Sequence, residues 1–370
     1  MFLAWRELTF ARTRFLLMGA VVALISVLVI LLSGLSTGLV NDGVSGLQRM
    51  PVDAFAFAKG TKTDSAFTRS TVDLKQVAAW RDQPGVTAAT PLGTALVNTA
   101  GPDGALDLAL FGVEPDSFIS PPVSDGEPVG VDGGIVVGST AGLSVGDELT
   151  VDRIGTPLKV VGIAPGQRTF GHVEVAFTTL PTWQQINAGL PPGEALPARA
   201  ADEVSVVALR TDAGADLAAG DAAVSTASKT RTAAYHASPG FTAETGTMSL
   251  IQGFLYAIAA LVVGAFFTVW TIHRRGELAV LRAMGASTRF LLAESLLQAV
   301  VVLVGATAVG TAIGVGLGSA LDSGSAPFAL EAGPIVTAVL LVIGLGLAGA
   351  AIAVLRVVRV DPLTALGASR

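Results

Sequence analysis

The 370-residue chain contains no cysteine. Disulfide frameworks, lipid-modified N-terminal cysteines and thiolate metal sites are therefore excluded. Charge is scarce as well, at 14% of residues, where a soluble domain carries roughly a quarter. The five lysines are Lys59, Lys62, Lys75, Lys159 and Lys229. None sits in a Gly-x-x-x-x-Gly-Lys-Ser/Thr loop, so the chain has no ATP-binding phosphate loop of its own. No Gly-x-Ser-x-Gly elbow is present to carry a hydrolase nucleophile. His172 and His236 are far apart and lack the spacing of metal ligands; each reads as an ordinary surface or core residue. The carboxylates show no spacing that singles out an acid/base pair and read as solvated surface charge. No fixed period marks a repeat. On this reading the chain has no catalytic, cofactor-binding or metal-binding residues and is not an enzyme.

What is present is apolar, at 51% of residues. The shortage of charge comes from four uncharged stretches, Phe15–Asn41, Thr245–Ile272, Ser295–Leu321 and Ala332–Leu355. Each holds the roughly 20 apolar residues needed to cross a hydrocarbon core of about 30 Å. The first is expected to be a signal anchor. Its apolar core, Phe15 to Leu32, is longer than the roughly 7–15 residues of a cleaved signal peptide.

Arginines fix the expected orientation. They cluster at Arg6, Arg12 and Arg14, at Arg274, Arg275, Arg282 and Arg289, and at Arg356, Arg359 and Arg370. The connection holding Asp322 and Glu331 has no basic residue. The positive-inside rule then puts both termini and the second-to-third loop in the cytosol. The expected layout begins with a cytosolic interfacial amphipathic helix (1–14), the first span (15–40) and an outer domain (41–247). It continues with spans at 248–272 and 290–321 joined by a cytosolic loop (273–289). A short outer loop (322–334), a last span (335–355) and a cytosolic tail (356–370) complete it. Between Asn41 and Thr247 the net charge is −10, against +4 for the remainder. An acidic outer domain argues against a nucleic-acid partner.

Within the outer segment, alternation predicts strands at Asp53–Ala58, Ala105–Val113, Gly134–Gly138, Leu149–Val151, Leu158–Ile163, Val173–Thr178 and Val204–Leu209. Val86–Val97 reads as a strand region broken by Pro91 and Gly93. Pro181–Ala188 reads as a short helix, and Ala-rich Asp212–Lys229 as helical. The fold class expected is an α-helical membrane protein with four transmembrane helices and an extracytoplasmic α+β domain between the first and second.

The cytosolic loop is the most informative segment. Glu277–Met284 has good helix formers and no breaker. Leu278, Leu281 and Met284 share one side, bordered by Arg274, Arg275, Glu277 and Arg282, and Gly285 supplies a C′ stop. A short helix with an apolar ridge and a charged border suits a groove on a soluble protein. The plainer alternative is a loop held inside only by its charge. Glu294, near the cytosolic start of the third span, reads as an interfacial carboxylate reaching the headgroups or a nearby arginine, with a buried functional carboxylate as the alternative. Gly34 with Gly38, and Gly310 with Gly314 and Gly318, form small-residue ridges suited to packing within the chain or between two copies.

Two motifs carry a resemblance. Arg275-Gly276-Glu277-Leu278-Ala279-Val280-Leu281-Arg282-Ala283-Met284-Gly285-Ala286 is similar to the R-x-x-E-hydrophobic-x-x-x-R-A-x-G-A stretch of MacB/FtsX-like ABC transporter permeases, including the LolC/LolE and DevC-type branches. Its first arginine is offset by one unless Arg274 is counted. Asp361-Pro362-Leu363-Thr364-Ala365-Leu366 resembles that family's C-terminal D-P-x-x-A-L. Trp5-Arg6-Glu7-Leu8, Gly142–Leu149 and Leu158–Ile163 also look like family segments, and the layout covers the whole chain. The resemblance implies a MacB-like periplasmic core domain and a multi-pass subunit of a bacterial cytoplasmic membrane. It implies two copies of a cytosolic ABC ATPase, which bind the ATP and Mg, and a second permease subunit, identical or not. An extracytoplasmic partner protein fits the same layout. Export of a lipid, peptide or drug-like substrate is the first expectation. Control of an extracytoplasmic cell-wall hydrolase and a non-transport membrane receptor are the alternatives.

Overall fold

The structure is a computed structural model that describes residues 12–102, 104–273, 276, 280, 284–321 and 327–358. The chain forms two compact units, one over Leu39–Thr245 and one made of the segments on either side of it.

The outer unit is built on a sheet of eleven strands. They are β1 (Ala54–Ala58), β2 (Val86–Gly101), β3 (Gly104–Val113), β4 (Asp125–Gly126), β5 (Gly134–Gly138), β6 (Glu148–Val151), β7 (Pro157–Ala164), β8 (Thr169–Phe170), β9 (Val173–Thr179), β10 (Val206–Thr211) and β11 (Thr226–Thr230). The order is β11-β1-β10-β2-β3-β9-β5-β7-β4, with β6 against β2 and β7, and β8 against β9. Only the β3/β9 and β5/β7 pairs are parallel.

Alternation along the strands splits the buried side chains between two faces. Phe55, Phe57, Phe111, Val175 and Phe177 point to one core, where they meet Phe67 and Phe170. Ala54, Ala56, Leu108, Leu110 and Ala176 point to the other, where they meet Trp80 and Trp183. In the first core the rings stack edge to face, with Phe55–Phe67, Phe67–Phe170 and Phe111–Phe177 centroids 5.2, 5.5 and 5.6 Å apart. Each such pair adds about 0.5–1.5 kcal/mol beyond burial.

Contrary to the sequence expectation, β2 runs unbroken through Pro91 and Gly93. The strand changes neighbour there: Val86 to Leu92 pair with β10, and Gly93 onward with β3. A residue without an N–H is tolerated where a ladder is being handed over. Gly93 lies directly opposite Gly112, and the Trp183 ring covers both. A side chain at either would collide with it.

Asp212–Lys229, expected to be helical throughout, is helical only over Leu217–Val224. Asp216 caps that helix by accepting from the Ala218 and Ala219 amides. Ser225 then adopts a left-handed conformation, and Thr226–Thr230 becomes β11 against β1. Sheet pairing overrides alanine's helix propensity here.

Among the described residues, four helices are long and apolar enough to cross a membrane. They are α1 (Arg12–Gln48), α2 (Phe241–His273), α3 (Thr288–Leu321) and α4 (Ala332–Val358). The first two are longer than the expected spans, because α1 continues to Gln48 and α2 already begins at Phe241. In the membrane unit Phe15 of α1 packs on Trp270 of α2 with ring centroids 4.7 Å apart. Gly349 of α4 approaches α2 closely enough that a Cβ would sit 2.5 Å from the Ala260 carbonyl oxygen.

Candidate functional site

Of the expected coupling residues, Arg274, Arg275, Glu277, Leu278, Leu281 and Arg282 lie outside the described residues. Around them the backbone obeys the local chemistry. The Met284 amide donates to the Val280 carbonyl at 3.0 Å, a helical hydrogen bond. Gly285 has φ +98°, the positive angle that a glycine just past a helix end adopts at low cost. Ser287 Oγ accepts from the Phe290 amide at 3.2 Å and so caps the start of α3. Gly-Ala-Ser is thus a stop followed by a start. Val280 and Met284, one helical turn apart, are 58% and 71% exposed.

The glycine ridges pack within the membrane unit. A Cβ at Gly310 would meet Ser26 Cβ at 2.6 Å, and one at Gly314 would meet Ile30 Cβ at 3.0 Å. These two glycines let α3 lie against α1. Gly34 and Gly318 both face the Phe328 ring, and Gly38 faces Pro327. The Ala329 amide donates to the Gly34 carbonyl at 3.1 Å. The segment after α3 is therefore seated on glycines of α1 and α3.

A second cluster lies in the outer unit, at the last turns of α1 and the first turn of α2. The β8–β9 hairpin reaches it through a two-residue turn, Gly171-His172, where both φ values are positive at +59° and +66°, the pattern of a primed turn. His172 Nδ1 is 2.8 Å from Asp42 Oδ2 on α1, and Nε2 is 2.8 Å from Glu244 Oε2 on α2. Gln167 Nε2 donates to Asp42 Oδ1 at 3.2 Å. Ser45 Oγ accepts from the Thr169 amide at 2.9 Å, and the Gly171 amide donates to the Gly43 carbonyl at 2.9 Å. Val44, Leu47 and Met50 continue α1 into the phenylalanine core. His172 therefore does not stand alone, and Asp42 and Glu244 are not simply solvated, as the sequence reading had them. Burial pushes the His172 imidazole down, but its two carboxylate partners outweigh this and raise its pKa above the ordinary 6.5. Burial also raises Glu174, opposed by a hydrogen bond from Thr140 and reinforced by Asp42.

No group of three or more His, Asp or Glu residues among the described residues could hold a metal. An open cleft of about 490 Å³ is lined by Thr90, Glu114, Phe118 and Arg210 among others. Arg210 lies 4.6 Å over the Phe118 ring.

Residues 249–362 match the family described as FtsX-like permease C-terminal, and residues 15–227 match the MacB-like periplasmic core domain. The chain is an ABC transporter permease of the MacB/FtsX type. It is 29% identical to an ABC transporter permease of Mycobacterium tuberculosis H37Rv, with 99% of each chain covered. It is 22% identical to a protein of Staphylococcus haemolyticus named for a hemin transport system permease, HrtB, again over 99% of each. The solved periplasmic region of MacB from Actinobacillus actinomycetemcomitans matches 50% of this chain and 90% of its own length at 9% identity and a TM-score of 0.35; the assignment rests on the family matches. This MacB/FtsX-type permease is a membrane protein, and permeases of its family work with an ATPase partner.

Proposed function

We propose that this permease converts ATP hydrolysis by a cytosolic partner into movement of its outer domain, and so extrudes a lipid, peptide or other small amphipathic substrate. Two permease copies, or this one with a related one, stand above two ATPases in a bacterial cytoplasmic membrane, with both termini in the cytosol. The observation that carries the reading is continuity. α1 and α2 each contribute residues to both compact units without a helix break, and an unbroken helix is an element that both ends can bias. The cytosolic loop is the entry point. Its exposed Val280 and Met284 offer apolar contacts to a groove, and Arg274, Arg275 and Arg282 flank them in the sequence. A relative named for hemin transport supports an amphipathic cargo.

Leu281→Asp and Met284→Asp test the docking. Each should leave membrane insertion intact and weaken ATPase binding by roughly 30-fold, the effect of losing an interface anchor of about 2 kcal/mol. Normal co-purification and normal stimulation of hydrolysis in both variants would remove the loop from the mechanism.

A further inference from the structure

We propose that His172, Asp42 and Glu244 form a proton-operated clasp, which ties the outer stem of α1 to the outer stem of α2 when the imidazole is charged and releases them when it is neutral. This goes beyond the transport reading and does not depend on it. The geometry is specific. One ring has a carboxylate oxygen at 2.8 Å on each nitrogen, and the two carboxylates come from different helices. Imidazolium donates from both nitrogens and satisfies both partners. Neutral imidazole keeps one N–H and turns a lone pair toward the other carboxylate, so one stem must be let go.

The backbone adds a second argument. His172 holds φ +66°, a left-handed conformation that glycine adopts freely and that is uncommon for other residues, histidine being among the few enriched there. The turn keeps a histidine at a position where backbone preference favours glycine, and that side chain lands between the two stems.

The other ionisable neighbours set the context. From α1 the facing group is Asp42, and from α2 it is Glu244. From β9, Glu174 feels the charge of Asp42 and is held by Thr140 Oγ1 at 2.9 Å. In the segment before α2, His236 bonds Thr242 Oγ1 at 3.2 Å and stacks on Phe241. Arg49 and Arg168 belong to the neighbouring stretch, with Arg49 Nε donating to the Gln167 carbonyl. Of these, His172 alone touches both stems through carboxylates. Its raised pKa gives the sign. The clasp is fully closed below the ordinary value of 6.5 and opens as pH rises through the higher value in the folded protein.

The absence of native cysteine makes the test direct. Spin labels are placed on cysteines substituted at Gln48 and Ala243 in the full chain in lipid nanodiscs, and the distance distribution is read at about pH 5.5 and about pH 8.5, either side of the histidine range. A narrow distribution at acid pH that broadens at alkaline pH is expected. His172→Gln should be broad at both, and His236→Gln should behave as the unsubstituted chain. Asp42→Asn combined with Glu244→Gln provides the same loss if His172→Gln does not fold. The His172 ring proton, followed by NMR in the otherwise native chain, should titrate above 6.5. A pH-independent distribution, a pH response that survives His172→Gln, or a His172 midpoint at or below 6.5 would overturn the clasp.

Discussion

Replacing Arg168 with methionine should make the outer unit more stable. The Arg168 residue is 4% exposed. Its Nε has no hydrogen-bond partner, and among the described residues the side chain forms no ion pair. Burial, and then the charge of Arg49, hold its pKa below the ordinary arginine value. A buried, unpaired ion costs several kcal/mol, and replacing buried charge by apolar side chains is neutral to stabilising by about 1–4 kcal/mol. Against this stands the guanidinium over the Phe177 ring at 5.8 Å, a contact worth roughly 0.5–2 kcal/mol. Methionine keeps the unbranched stem and its packing. At their midpoints the two effects leave a net gain of about 1 kcal/mol, inside a range from a loss of about 1 to a gain of about 3.5. For a unit of this size it should raise the melting temperature by roughly 2–4 °C. Thermal unfolding of the full chain in detergent, followed by the fluorescence of buried Trp80 and Trp183, measures it. A loss of more than about 1.5 kcal/mol, the least that a hydrogen bond to a charged group contributes, would refute the reasoning, because Arg168 would then be serving a partner anion.

Two further substitutions test the packing. Gly93→Ala should destabilise the outer unit by about 1–3 kcal/mol through overpacking against Trp183, and the cost should shrink in a Trp183→Ala background; additive effects in urea unfolding would show that the ring is not the obstacle. Gly310→Leu should separate α3 from α1 and lower the thermal stability of the chain in detergent while leaving insertion unchanged. Unaltered unfolding would mean that this helix contact is dispensable.

Much of the architecture was legible because its signals are local. Four uncharged apolar stretches mark the helices whatever their neighbours do. Alternation in Asp53–Ala58 and Val173–Thr178 marks strands, because one face must be buried. Gly285 marks a helix stop. The failures are equally physical. Pro91 reads as a strand breaker unless one knows that β2 changes partner beside it. Asp212–Lys229 reads as helix because alanine's preference is visible, while the pull of β1 on Thr226–Thr230 is not. The ends of α1 and α2 extend past the apolar stretches, since a helix can continue wherever its next turn finds a core to bury in.

The candidate sites divide in the same way. The loop from Arg274 to Gly285 stands out in the sequence because its candidate residues are consecutive. His172, Asp42 and Glu244 do not, because they are separated by 130 and 72 positions and no spacing rule joins them. Composition and order along the chain determined that this protein enters a membrane and which loops carry positive charge. Only the tertiary structure decided which distant carboxylates share an imidazole, which glycines receive a tryptophan or a helix, and which cation is buried without a counter-ion among the described residues. Hydrophobicity and helix signals act over a few residues, whereas ion pairs and close packing depend on where the folded backbone places residues that the sequence keeps far apart.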